Sequence, residues 1–215
     1  MYKYILFDLD GTLTDSSLGI TNSVMYALKK FGIEENDRTA LFKFIGPPLQ
    51  DSFTRFYEFS AEDSDKAANY FREYYGPNGL FENEVYEGII EVLSQLKAKG
   101  FVPILATSKL EKFAIEILKH FELYQYFHFV SGATADGSRL AKGDVIKHAL
   151  KCCDITDLSQ VVMVGDREHD MVGAREAGVD SIGVLYGYGD YKELERFGAT
   201  YIVEKPEDIL KIVME

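Results

Sequence analysis

Asp8 and Asp10 stand one residue apart where a short apolar run ends, in Phe7-Asp8-Leu9-Asp10-Gly11-Thr12. Alternate residues of an extended segment face the same way, so both carboxylates can address one spot. Acids that close repel unless a cation or a proton holds them. Gly11 lets the backbone turn sharply, and the N–H groups of such a turn can point at an anion. The same residues also fit a solvated turn or a calcium loop.

Three further segments carry groups of a matching kind. Thr107-Ser108 comes directly after Ile104-Leu105-Ala106 and reads as lying just ahead of a helix. A hydroxyl beside fresh helix N–H groups makes a phosphate cradle, though a plain helix cap uses the same residues. Lys142, in Leu140-Ala141-Lys142-Gly143-Asp144, reads as a helix start. A cation there opposes the helix dipole, so an anionic partner would explain it; a solvated surface lysine is the alternative. Asp166 and Asp170, in Gly165-Asp166-Arg167-Glu168-His169-Asp170, are spaced by one helical turn and would share a face. That pattern suits Mg²⁺, which favours a few carboxylates, with water and substrate phosphate completing its shell. It also suits acids that merely complement a helix dipole or pair with surface cations. Glu168 is a weaker candidate for the same site.

Every one of these groups falls at the end of a β-rich run or at the start of a helix, which asks for a scaffold that gathers such ends. Apolar runs recur at Tyr4-Ile5-Leu6-Phe7, Val102-Pro103-Ile104-Leu105, Phe127-His128-Phe129-Val130, Val161-Val162-Met163-Val164 and Ser181-Ile182-Gly183-Val184. Helical periodicity separates most of them, as from Ile89 to Leu96, at Ile115, Leu118 and Phe121, and from Val145 to Leu150. Strands of continuous apolar character alternating with helices predict an α/β, doubly wound (Rossmann-like) parallel sheet covered on both faces. In such sheets ligands bind at the carboxyl ends of the strands.

Residues 15–83 break that rhythm. Ile20, Val24, Leu28 and Phe31 recur at helical spacing, Pro47-Pro48 opens another helix, and Ser60 precedes an acidic first turn. The segment predicts an all-α unit inserted into the sheet domain, which would comprise residues 1–14 and 84–215. Its density in Phe and Tyr between Phe53 and Phe81 reads first as packing.

Composition sets the outer limits. The 215 residues, 47% hydrophobic and 27% charged with five prolines, describe an ordinary globular chain. A net charge of −12 argues against nucleic-acid polymers and anionic membranes. It leaves room for a small anionic substrate, because a metal and a few local cations can invert the field in one pocket. No apolar stretch reaches the length of a membrane span, and the first apolar run is too short for a signal peptide. The adjacent Cys152 and Cys153 suggest neither a disulfide nor a metal site. The chain reads as cytoplasmic, and nothing in it separates monomer from homodimer.

The order and spacing of the four motifs resemble the haloacid dehalogenase superfamily over essentially the whole chain. The signature is Asp8-Leu9-Asp10-Gly11-Thr12, followed by Thr107, Lys142, and the acids Asp166 and Asp170. The position of the helical insertion is similar to that in the subgroup of phosphoglycolate phosphatase, β-phosphoglucomutase and several nucleotide 5′-phosphatases. The resemblance implies a phosphatase with Mg²⁺ as cofactor and a small phosphorylated metabolite as partner. Asp8 would be the nucleophile, forming an aspartyl-phosphate, and Asp10 the general acid and base. Leu9, Asp10, Thr107, Ser108 and Lys142 would hold the phosphoryl oxygens. Asp8, Asp166, Asp170 and the backbone carbonyl of Asp10 would place the metal, and Asp170 could instead orient Lys142. The insertion would be a cap, with Lys43, Gly46 and Arg55 as candidate substrate contacts. The presence of Asp10 favours phosphoryl transfer over carbon–halogen cleavage. A phosphosugar mutase and a non-catalytic phosphate-binding module remain as rivals. A dinucleotide site is set aside, because the first turn lacks the Gly-x-Gly-x-x-Gly pattern.

Overall fold

The computed structural model describes residues 1–214. In chain order the elements are β1 (Tyr4–Phe7), β2 (Thr14–Asp15), α1 (Ser17–Lys30), α2 (Leu49–Tyr57), α3 (Ala61–Tyr74), β3 (Glu84–Val85), α4 (Ile89–Ala98) and β4 (Val102–Leu110). They continue with α5 (Glu111–His120), β5 (Phe129–Ala133), α6 (Lys142–Cys152), β6 (Val161–Gly165), α7 (Glu168–Ala177), β7 (Asp180–Val184), α8 (Tyr191–Arg196), β8 (Tyr201–Val203) and α9 (Pro206–Met214). The chain forms two compact units, residues 1–14 with 85–215 and residues 15–84.

In the first unit, six strands among the described residues make a sheet in the order β5-β4-β1-β6-β7-β8. Neighbouring strands in this sheet pair in parallel, and helices supply the crossovers. The α/β doubly wound class expected from the alternation is what the chain adopts. Parallel strands covered on both faces must be apolar throughout, and Ile5, Leu6 and Phe7 of β1 and Val161 to Val164 of β6 are all fully buried. Leu6, Ile104 and Met163 form one layer with Val145, Ile146 and Ala149 of α6 and Ala174 of α7.

Register is what matters for function. Phe7 pairs with Leu105 of β4 and with Val164 of β6. Asp8 therefore leaves the sheet at the same level as Ala106-Thr107 on one side and Gly165-Asp166 on the other.

Two strand expectations shift. The run expected from Phe127 begins as a strand only at Phe129, because a 3₁₀ turn over Tyr124–Tyr126 immediately precedes it. The edge strand β8, three residues long, was absent from the expectation; Tyr201-Ile202-Val203 is too short to show a period.

In the second unit, α1, α2 and α3 pack with a 3₁₀ turn over Thr39–Phe44. Ser60 caps α3 by accepting from the Asp63 N–H at 3.1 Å. Phe44, Phe53, Phe56, Tyr57 and Phe59 make a chain of ring contacts between 5.0 and 6.1 Å.

Candidate active site

Asp8 begins the site. Its N–H still donates to Val164 O at 2.9 Å, extending the β1–β6 ladder by one residue, and the residue is 4% exposed. Beyond it the chain must reverse at once. Gly11 does so with φ +82°, donating its N–H to Thr14 O at 2.8 Å. A Cβ at Gly11 would lie 2.2 Å from Asp166 Oδ2, so the turn needs both the left-handed backbone and the missing side chain.

Asp166 follows β6. It lies ahead of α7 rather than on it, since that helix starts at Glu168. This corrects the expectation that Asp166 and Asp170 share a helix face. The two acids meet because the chain bends at Arg167, whose N–H donates to Asp170 Oδ2 at 3.1 Å. Ligand atoms of Asp8, Asp166 and Asp170 all lie within 4.8 Å of one another, and all three residues are buried. Tyr188 N–H donates to Asp166 Oδ2 at 2.7 Å, whereas buried Asp166 Oδ1 has no hydrogen-bond partner.

Lys142, the first residue of α6, reaches this cluster with its ammonium. Its Nζ lies 2.8 Å from Asp8 Oδ1, 2.8 Å from Asp170 Oδ1 and 3.1 Å from Ala106 O. The aliphatic stem crosses α7 at Gly173, where a Cβ would lie 2.6 Å from Lys142 Cγ. Thr107 is buried within β4 and adds a weaker downward pull on the Asp8 pKa than Lys142 does. Thr107-Ser108 does not sit at a helix start, as the sequence suggested. β4 runs on to Leu110 through a register break after Ala106, and α5 begins only at Glu111.

Burial pushes Asp8 above the usual carboxylate range, opposed by Lys142 and assisted by Asp170. It pushes Asp166 well above that range, with repulsion from Asp170 next in weight. Lys142 is raised although burial works against its charge, because Asp170 and Asp8 more than offset that cost. Three buried carboxylates against one ammonium leave an excess of negative charge in a low-dielectric pocket. A partnerless buried carboxylate oxygen inside an all-oxygen donor set fits a hard divalent cation.

The remaining expected residues divide. The Asp10 carboxylate stands apart from the trio and is paired with Lys109, whose Nζ lies 2.9 and 2.7 Å from its two oxygens. Lys109 was not among the residues singled out, since no spacing rule distinguishes it from other lysines. Leu9 has a fully buried side chain and accepts through its carbonyl from Leu13 and Thr14, so any part it plays is through its backbone N–H. Ser108 is half-buried beside Thr107. Glu168 lies outside the trio, its N–H donating to Glu193 Oε1 at 2.8 Å. In the helical unit, Lys43 and Arg55 both lie against the Phe56 ring, at 4.6 and 5.4 Å from its centroid. Gly46 occupies a left-handed turn with φ +103°.

Comparison with known proteins gives the family. A family model described as haloacid dehalogenase-like hydrolase matches residues 5–184. A 5′-nucleotidase of Pseudomonas aeruginosa is 43% identical over 93% of this chain and 90% of its own length. The tyrosine-protein kinase PtkA of Mycobacterium tuberculosis is 36% identical over 93% of this chain and 68% of its own. The crystal structure of a predicted phosphatase from Clostridium acetobutylicum superposes with a TM-score of 0.97 at 46% identity, covering 100% of this chain and 99% of that one. The chain belongs to the haloacid dehalogenase-like hydrolases and is a phosphatase of that family.

Proposed function

We propose that this phosphatase hydrolyses a small phosphate monoester, a nucleoside 5′-monophosphate foremost, through an aspartyl-phosphate on Asp8 and with Mg²⁺ as cofactor. The observation that carries the reading is the convergence of Asp8, Asp166 and Asp170 around the partnerless Asp166 Oδ1, with Lys142 Nζ 2.8 Å from Asp8. Asp8, Asp166 and Asp170 would hold the Mg²⁺. When bound, the ion supplies charge neutralisation between an anionic nucleophile and a dianionic ester.

The chain's own residues do the rest. Asp8 attacks phosphorus, and Lys142 and the Thr107 and Ser108 hydroxyls hold the non-bridging oxygens where charge spreads in the transition state. Asp10 protonates the departing alkoxide, then takes a proton from the water that hydrolyses the intermediate. The helical unit serves as the cap, and Lys43, Gly46 and Arg55 are its proposed substrate contacts. The 43% identity to a 5′-nucleotidase supports a nucleotide as substrate.

The likeness to a protein kinase favours a second reading, in which an acceptor hydroxyl replaces water at the second step. Purified protein is assayed on nucleoside 5′-monophosphates, phosphoglycolate and sugar phosphates with Mg²⁺, with EDTA, and as Asp8→Asn. Mg²⁺-dependent phosphate release, highest on a nucleotide and lost in Asp8→Asn, is expected. Label passing to an added alcohol or protein instead of water would favour the second reading. No release from a folded, Mg²⁺-binding protein would overturn the first.

A further inference from the structure

We infer that Lys109 is the positioning residue for Asp10, holding that carboxylate in one orientation for proton exchange with the leaving group. The inference rests on the reading of Asp10 as general acid and base. Lys109 Nζ lies 2.9 Å from Asp10 Oδ1 and 2.7 Å from Oδ2, and the two side chains are only 8% and 9% exposed. A buried ion pair adds little net stability, because desolvating both charges offsets most of their attraction. What it does provide is orientation, and Asp10 needs that. As the second acid after β1, it stands beside a cluster that already holds three buried carboxylates. With both oxygens on Lys109, Asp10 is kept out of that cluster.

The same short segment also runs beside the nucleophile. Lys109 N–H donates to Thr107 Oγ1 at 3.2 Å, and the pairing of Phe7 with Leu105 brings buried Thr107 alongside Asp8. Residues two apart on an extended segment share a face. Thr107-Ser108-Lys109 therefore runs its first residue alongside Asp8 and holds Asp10 with its last, which ties the placement of the acid to the strand beside the nucleophile. The register break in β4 falls within this stretch, between Ala106 and Leu110.

Each step balances with Lys109 remaining an ammonium. In the first, a bond forms between an Asp8 carboxylate oxygen and phosphorus while the ester P–O bond breaks. The departing oxygen takes the Asp10 proton, and Lys109 stays on the carboxylate so formed. In the second, water gives its proton to Asp10 as its oxygen bonds to phosphorus. The bond to Asp8 then breaks, releasing inorganic phosphate and restoring the Asp8 carboxylate.

The leaving group discriminates this role from others. kcat/KM reports steps only through departure of the alcohol, and a dinitrophenolate departs without a proton whereas a nucleoside alkoxide does not. Wild type, Lys109→Met, Lys109→Arg and Asp10→Asn are compared on a nucleoside 5′-monophosphate and on dinitrophenyl phosphate. Lys109→Met is expected to lose about 10²-fold on the nucleotide, within the range of one general acid, and far less on the aryl ester. Lys109→Arg should recover part of the loss, and Asp10→Asn should show the same preference for the aryl ester. Equal losses of Lys109→Met on both esters would overturn the inference, since phosphate binding or misfolding would not depend on the leaving group. If Asp10→Asn also loses both esters equally, the reading of Asp10 as acid fails as well. If only Lys109→Met does so, that reading stands and the inference alone falls.

Discussion

Burial governs the three carboxylates beside Lys142. Asp8, Asp166 and Asp170 are 4%, 0% and 1% exposed, so their charges are not dispersed by water. Bringing Mg²⁺ to that cluster should stabilise the fold as well as enable turnover. At 100 times its dissociation constant, a ligand that binds only the folded state adds about 2.7 kcal/mol. The melting temperature of the wild type should therefore rise with Mg²⁺ in a dose-dependent way. Asp166→Asn should lose most of that rise, because Oδ1 is the oxygen with no other partner. An equal Mg²⁺ response in both proteins, followed by calorimetry, would place the ion elsewhere. At this scale the sequence showed acids and hydroxyls after apolar runs and a lysine at a helix start. That Lys142 would reach two acids at 2.8 Å, or that Lys109 would cover Asp10, depends on side-chain paths that sequence spacing does not encode.

At the scale of elements, the reach of Lys142 depends on how closely α6 passes α7. Gly173 leaves the space that the Lys142 stem fills, with only 2.6 Å between a would-be Cβ and Lys142 Cγ. Gly173→Ala should cost roughly 1–3 kcal/mol, as overpacking does, and lower phosphate release by displacing the ammonium. A variant with wild-type stability and turnover in urea melts and assays would show that the helices can part freely. Further along α6, His148 bonds Ser131 Oγ at 3.1 Å and lies 3.4 Å from Cys152 Sγ. Burial pushes its pKa below the ordinary 6.5, and Arg139 and Lys151 act in the same direction while Glu111 opposes them. Because the folded protein disfavours the charged ring, the unfolded chain binds more protons below pH 6.5. Stability is then whole above that pH and declines as pH falls through it and on through the lower folded value. His148→Gln should flatten that decline in melting temperature between wild type and variant; an unchanged slope would refute the assignment. The alternation of strands and helices made the α/β class legible. β8 and the long, irregular end of β4 were not, since three residues show no period and a register break leaves no compositional mark.

For the whole molecule, a net charge of −12 and an anionic substrate look mismatched. Lys142 beside Asp8 and Lys109 beside Asp10 are each at least nine-tenths buried but are outnumbered by the four carboxylates around them, so a bound Mg²⁺ would supply the charge that receives the anion. Among the described residues no helix is long and apolar enough to cross a membrane. The register of β1 between β4 and β6 ties the parts together, because it sets Phe7 level with Leu105 and Val164, just ahead of the site residues on each segment. The proposed reaction is two displacements at phosphorus, with Asp8 carrying the phosphoryl group between them. The most direct test is the stereochemical course, using a phosphorothioate ester made chiral at phosphorus by isotopic oxygen and hydrolysed in labelled water. Two in-line displacements through Asp8 predict net retention of configuration. Net inversion would mean that water attacks the ester directly, and Asp8 would not be the nucleophile.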